Sequence, residues 1–173
     1  MVFIGGLNKS EHQDSESKDR LAYGLPYGQD VVIEALAAVS DRLVVVNMSG
    51  NAVAMPWLDA VPSVVQDWYL GSEAGNSLAD VLSGKVNPSG KLPYTVYARL
   101  EDGPLRSEIQ YPGVKRADSN FYDEEYSEGV YVGYRWFEKQ DIEPLFPFGH
   151  GLSYTSFEYD RLKAVRRGGK VVV

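Results

Sequence analysis

The apolar run at 42–48, Arg-Leu-Val-Val-Val-Asn-Met, constrains the fold more strongly than any other feature of the sequence. Its apolar residues are continuous and do not alternate with polar ones, which is typical of a strand covered on both faces, as in a parallel sheet. A shorter run at 2–5, ended by Gly5-Gly6, predicts a first strand, and residues 61–70 predict another. The sequence therefore favours a parallel sheet.

Two helices are predicted around these strands. The first covers about 27–40, and its proposed buried face has the helical spacing of Val32, Ala35, Leu36 and Val39. The second runs from an N-cap at Ser72 to about Leu82 and ends at Gly84. The order strand, helix, strand, strand, helix indicates a doubly wound α/β layer structure, in which ligands bind beyond the carboxyl ends of strands. The polar segment 8–24, which follows the first strand, is therefore the first candidate for a functional loop.

The composition changes from Asn87 onward. Residues 87–93 are rich in turn formers, and the polar stretch 98–128 predicts a long surface loop. Aromatic and β-branched residues at 129–137 favour a strand, and 157–173 favour two strand pieces joined at Gly168-Gly169.

Composition limits the classes of function. The net charge of −7 makes nucleic acid an unfavourable partner but does not disfavour a neutral sugar. No run of about 18 apolar residues is present, so no membrane span is expected. Cysteine is absent, and His12 and His150 are too far apart in sequence to suggest a metal pair, so no metal or cofactor is expected.

A series of short motifs extends over nearly the whole chain. They include Asp14-Ser15-Glu16-Ser17-Lys18-Asp19-Arg20, Trp68-Tyr69-Leu70-Gly71-Ser72-Glu73, Asn87-Pro88-Ser89-Gly90-Lys91-Leu92-Pro93 and, most distinctively, Phe148-Gly149-His150-Gly151-Leu152-Ser153-Tyr154. In this order they resemble the C-terminal part of family 3 glycoside hydrolases, in particular bacterial β-glucosidases. The resemblance implies an α/β fold: a partial doubly wound α/β sandwich with linker at 1–154, then the first strands of a fibronectin type III-like β-sandwich at 155–173. Both ends of the chain would then be cut.

The same resemblance implies an activity. The chain would be part of a retaining, exo-acting β-glucosidase that hydrolyses terminal β-D-glucosyl residues of a β-linked oligosaccharide or glucoside, in the periplasm or secreted. Family members carry their nucleophile, an Asp, on an N-terminal barrel domain that this sequence lacks. That barrel is the expected partner, and the chain alone is expected to be inactive. A β-xylosidase or other family 3 glycosidase, or a non-catalytic carbohydrate-binding or domain-packing module, are the alternatives.

Glu16 is the candidate catalytic residue that the resemblance implies. The family's general acid/base is commonly a Glu in the setting Glu-Gly-x-Asp-Arg, which Glu16-Ser17-Lys18-Asp19-Arg20 matches except at Ser17. Such a residue donates a proton to the departing oxygen and later activates water. Glu11 is the second choice, and a solvated surface carboxylate is the alternative role for Glu16. A charge-assisted pair between Asp19 and Arg20 is expected to fix the loop.

The remaining conspicuous side chains are expected to have structural roles. Core or interdomain packing is predicted for Trp57 and Trp68, since their indole rings are large and mostly apolar. Packing is also the expected role of His150.

Overall fold

A parallel sheet forms the centre of the protein in the computed structural model, which describes all of residues 1–173. Its strands β1 (Val2–Gly6), β2 (Val44–Met48) and β3 (Ser63–Gln66) lie in the order β1-β2-β3. The register places Phe3 beside Val45 and Val45 beside Val64. The predicted α/β class with a parallel sheet is confirmed, and the third strand is shorter than the apolar pattern at 61–70 indicated.

Helix α1 (Gln29–Ala37) packs on the core through a face centred on Ile33, which shares only Leu36 with the predicted face. Ile33 is completely buried and Leu36 and Ala37 pack beside it, whereas Val32 and Val39 are 47% and 75% exposed. Of the four residues predicted to be buried, Leu36 contacts the core and the other three are exposed, so the prediction was wrong for three of them. The helix carries apolar residues on both sides, and the helical period alone does not show which side meets the sheet.

Helix α2 (Ala74–Leu82) follows a 3-10 turn at Gly71–Glu73. The N-cap position belongs to Glu73 and not to Ser72, because the 3-10 turn shifts the start of the α-helix by one residue. The predicted end is confirmed: Gly84 adopts φ +76°, a conformation in which glycine, lacking Cβ, is not strained.

The core lies between α1, the sheet and the segment after β2. Leu43, Val45, Val53 and Trp57 are among its buried side chains. The Trp57 Nε1 atom donates a hydrogen bond of 2.7 Å to the Asp30 carboxylate on α1. The packing role predicted for Trp57 is confirmed. Trp68 is half-buried and meets Tyr94 edge to face, with the ring centroids 5.6 Å apart.

Beyond residue 87 the structure corrects one prediction and refines two others. The strand predicted at 129–137 was wrong: Tyr134–Gln140 forms helix α3, whose buried Phe137 ring lies 4.9 Å from that of Tyr97. The stretch 98–128 contains a 3-10 turn, Leu100–Asp102, and a small hairpin of strands β4 (Val114–Lys115) and β5 (Tyr122–Asp123). Aromatic enrichment indicates a fit to a half-buried surface and not a fixed backbone preference, and here the contact with Tyr97 covers Phe137 on a helix.

The C-terminal segment forms a hairpin of strands β6 (Val165–Arg167) and β7 (Lys170–Val172). Gly168 and Gly169, both with positive φ, make its turn as predicted. The first piece is shorter than expected because 157–164 has no regular structure. Assignment of 155–173 to a fibronectin type III-like domain stays a prediction. None of the helices has the length and apolar character that crossing a bilayer requires.

Candidate active site

The loop 8–24 is attached to the carboxyl edge of the parallel sheet, where the sequence predicted a functional loop. Its anchor is Asp14, whose carboxylate accepts hydrogen bonds from the Gly50 backbone N–H at 2.6 Å, Asn51 Nδ2 at 2.9 Å and the Tyr69 hydroxyl at 2.7 Å. Gly50 and Asn51 follow β2 and Tyr69 follows β3, so one side chain joins the segment after β1 to the ends of the other two strands.

The donors around Asp14 keep its carboxyl ionised. Burial raises the pKa of this carboxyl, but the hydrogen bonds from Asn51, Tyr69 and Gly50, together with the positive charge of Arg20, outweigh burial and bring the pKa below its ordinary value. Burial and the bond to the Asp14 carboxylate raise the pKa of Tyr69. The phenol therefore stays protonated and donates its hydrogen bond to Asp14 throughout the physiological pH range.

A buried polar network supports the donors that Asp14 uses. Asn47, in the middle strand, donates from Nδ2 to Ser49 Oγ at 2.9 Å and to Gln66 Oε1 at 2.7 Å. Gln66 Nε2 donates to the Ser49 carbonyl at 3.0 Å, and Ser49 Oγ donates to the Asn51 carbonyl at 2.7 Å. These bonds fix the backbone after β2, so Gly50 and Asn51 have supports other than their bonds to Asp14.

Gln13 and His12 make hydrogen bonds within the loop and to the residues just after it. Gln13 is buried, accepts from the Asn8 N–H at 3.0 Å and donates to the Tyr27 hydroxyl at 2.9 Å. His12 Nδ1 lies 3.0 Å from the Asp19 carbonyl oxygen. The loop is thus ordered by its own hydrogen bonds as well as by the sheet.

The predicted ion pair between Asp19 and Arg20 was wrong. Arg20 donates from Nη2 to the Ala52 carbonyl at 2.7 Å, and Asp19 accepts from the Tyr111 hydroxyl. The hydrogen bond to Asp19 and burial raise the pKa of Tyr111 to about 12. Each side chain still fixes the loop, as predicted, but Arg20 joins it to the segment after β2 and Asp19 joins it to the distant 98–128 stretch.

Glu16 lies in a turn at the tip of loop 8–24. Ser15 and Lys18 face each other in an antiparallel bridge, which leaves Glu16 and Ser17 as the two central residues of a tight turn. Glu16 is exposed, and its carboxylate has no hydrogen-bond or ion-pair partner in the chain. Glu11, the second choice, instead pairs with Lys18 Nζ at 2.9 Å. The structure thus brings Glu16, Asp14, Asp19 and Arg20 into one loop, and the catalytic role of Glu16 stays a prediction.

Ser17 adopts a backbone conformation that favours glycine. Its φ of +64° lies in the left-handed region, which costs a residue with a Cβ about 1–2 kcal/mol. We expect Ser17→Gly to raise the free energy of unfolding of the chain by about 0.5–1 kcal/mol, because the strain is removed while glycine's greater unfolded-state entropy offsets part of the gain. Urea denaturation followed by circular dichroism measures the change.

Ser83→Gly is the matched control for Ser17→Gly. Ser83 is also an exposed serine, but its φ is −80° and its hydroxyl donates to the Asp80 carbonyl at 3.2 Å. Glycine there should lower the unfolding free energy by several tenths of a kcal/mol. Equal changes of the same sign in the two variants would show that the turn at Ser17 is unstrained.

Asp14 lies in one of the sequence motifs but had no predicted role, and Asn51, Tyr69 and Tyr111 were not predicted as parts of the site. One signal for the network was present: Asn47 is a polar residue inside an otherwise apolar strand. A buried amide in such a position requires hydrogen-bond partners, and a cluster of them at the strand's carboxyl end is the expected consequence.

Comparison with known proteins places this loop in a family. Residues 1–154 match the model of the glycosyl hydrolase family 3 C-terminal domain. A β-glucosidase of Bacteroides ovatus is 54% identical over 163 residues, which are 93% of this chain and 21% of that protein. Thermostable β-glucosidase B of Acetivibrio thermocellus is 45% identical over 166 residues, which are 96% of this chain and 21% of that protein.

Solved structures agree with the sequence relatives. The crystal structure of DesR, a β-glucosidase from Streptomyces venezuelae in complex with D-glucose, matches 96% of this chain with a TM-score of 0.85 and 38% identity, and 20% of that chain is covered. The chain therefore spans about a fifth of the length of the proteins it matches. With a family model matched over most of its residues, and with the same fold in these structures, the chain belongs to glycoside hydrolase family 3, within the C-terminal domain of that family.

Proposed function

We propose that this chain is part of a retaining, exo-acting β-glucosidase, in which Glu16 is the general acid/base and a barrel domain of the longer enzyme supplies the nucleophile. The names of the relatives support the glucoside substrate, since proteins 54% and 45% identical to this chain are β-glucosidases. The observation that carries the role of Glu16 is its place: an unpaired, exposed carboxylate at the tip of a loop fixed on the carboxyl edge of the sheet.

This geometry suits an acid/base that must serve two successive steps. In a retaining enzyme the acid/base stands about 5–5.5 Å from the nucleophile, first protonates the departing glycosidic oxygen and then removes a proton from the attacking water. The first step requires the protonated carboxyl group and the second the carboxylate, and in both the oxygens must be free to contact substrate or water. Because the turn around Glu16 is fixed by neighbouring residues, the carboxylate needs no bonds of its own to hold its position.

Azide rescue tests this role in the longer enzyme. In Glu16→Ala, an aryl β-glucoside with a good leaving group still forms the glycosyl-enzyme, which then lacks a base to activate water. Added azide needs no base: it attacks the anomeric carbon, displaces the nucleophile's carboxylate and leaves as β-glucosyl azide. We expect azide to raise kcat of Glu16→Ala and to yield this product, identified by mass spectrometry.

Glu11→Ala is the control for the azide experiment. Glu11 is an exposed carboxylate of the same loop but is paired with Lys18. Its variant should keep near-normal activity and form no glucosyl azide. If Glu11→Ala gave the azide product and Glu16→Ala did not, the acid/base would be Glu11.

A further inference from the structure

Asp14 connects the Glu16 turn to the sheet, and it lies two positions before Glu16 in the chain. We propose that Asp14 is a positioning residue for Glu16: by accepting hydrogen bonds from Gly50, Asn51 and Tyr69, it fixes the place of the acid/base over the carboxyl edge of the sheet. This inference rests on the proposed role of Glu16. It concerns how that carboxylate is held, not which proton it moves.

The three donors around Asp14 require a carboxylate. Oδ2 accepts from the Gly50 N–H and the Tyr69 hydroxyl, and Oδ1 accepts from Asn51 Nδ2. An ionised carboxyl has acceptor positions for all three, whereas an amide of the same shape presents N–H groups on one side. Asp14→Asn therefore turns an N–H group toward one of these donors, so at least one of the three hydrogen bonds is lost in this arrangement without a change in the volume of the side chain.

The position of Glu16 depends on the anchors of its turn, of which Asp14 is the one that reaches the sheet. Its carboxylate has no partner in the chain, so its position follows from the backbone of the turn Ser15–Lys18. On one side that turn is held through Asp14, and on the other through the bond between Tyr111 and Asp19. Gly50 and Asn51 are fixed independently by the Asn47 network. Loss of the Asp14 bonds therefore moves the turn and leaves the sheet in place.

The choice of leaving group separates a displaced acid from a damaged fold. Cleavage of cellobiose needs proton donation to a poor leaving group, but 2,4-dinitrophenolate leaves without protonation. A misplacement of about 1 Å can cost about 100-fold in rate. In the longer enzyme we expect Asp14→Asn to lower kcat/KM for cellobiose by about 10–100-fold and for 2,4-dinitrophenyl β-glucoside by less than about threefold. A smaller folded fraction would lower both by the same factor.

A double-mutant cycle tests whether Asp14 acts through Glu16. If it does, Asp14→Asn in a Glu16→Ala background changes the cellobiose to dinitrophenyl ratio by less than about twofold, since the group it positions is gone. Tyr69→Phe removes one of the three donors and keeps the ring, so the ratio should shift in the same direction by about 3–10-fold. If Asp14→Asn lowers the yield of folded enzyme, Tyr69→Phe provides the same test.

The outcomes distinguish this inference from the proposed function. Equal loss on both substrates in Asp14→Asn, or additive effects in the cycle, would overturn the positioning role while azide rescue of Glu16→Ala leaves the acid/base assignment intact. If Glu16→Ala gives no glucosyl azide, the proposed function fails, and the positioning role fails with it. A leaving-group-dependent loss that disappears in the Glu16→Ala background supports both.

Discussion

Glu16→Ala in the longer enzyme is expected to lower kcat/KM for cellobiose by about 10³-fold and for 2,4-dinitrophenyl β-glucoside by less than about tenfold, because general acid–base catalysis contributes about 10²–10⁴-fold where a proton must be transferred. The parameter kcat/KM reports the steps up to formation of the glycosyl-enzyme, in which only the poorer leaving group needs the acid. For the dinitrophenyl substrate kcat and KM should fall together, because the glycosyl-enzyme accumulates. Steady-state kinetics on the two substrates measure both effects.

Glu16→Gln is the closest control for this loss. The amide keeps the size of the side chain and removes its ability to exchange a proton, so its substrate ratio should equal that of Glu16→Ala. Its kcat on the dinitrophenyl substrate should respond less to azide, because the side chain still occupies the space that the anion enters. An equal fall on both substrates in the two variants would contradict an acid/base role and indicate a structural one.

The central part of the fold could be predicted because burial on both faces leaves a local pattern. A strand between two neighbours and two covered faces requires a continuous apolar run, and residues 43–46 supply one. The orientation of α1 could not be predicted, because Val32 and Ile33 both fit helical stripes and only the tertiary contact buries Ile33. Helix α3 was missed for the same reason, since the contact of Phe137 with Tyr97 joins residues far apart in sequence.

The candidate site shows the same division between local and long-range information. Glu16 was found because its neighbours Asp19 and Arg20 form a short motif. The bonds that fix it join Asp14 to residues 36, 37 and 55 positions away, and no spacing rule within the loop indicates them. The predicted ion pair of Asp19 and Arg20 failed because each side chain has a distant partner, Tyr111 and Ala52. Motifs thus identified the candidate acid/base, whereas only the fold identified the residues around it.

Trp57→Ala is expected to have the largest effect on stability, lowering the free energy of unfolding of the chain by about 3–5 kcal/mol, as buried aromatic-to-alanine changes do. Trp57 is 2% exposed and belongs to the core cluster, and its Nε1 donates to Asp30 on α1. Truncation removes this apolar surface, leaves a cavity and removes the link to the helix. Urea denaturation followed by circular dichroism should show a lower midpoint with an unchanged slope.

Three variants separate the causes of the Trp57 effect. Trp57→Phe keeps an aromatic ring but removes the donor to Asp30, and should cost about 1–3 kcal/mol. Asp30→Asn keeps an acceptor oxygen for Nε1 and should cost less than either Trp57 variant. Phe121→Ala removes a ring that is 73% exposed, so it should change stability by less than about 0.5 kcal/mol. If Phe121→Ala lowered the unfolding free energy as much as Trp57→Ala, the packing of Trp57 against α1 would not be a main source of stability.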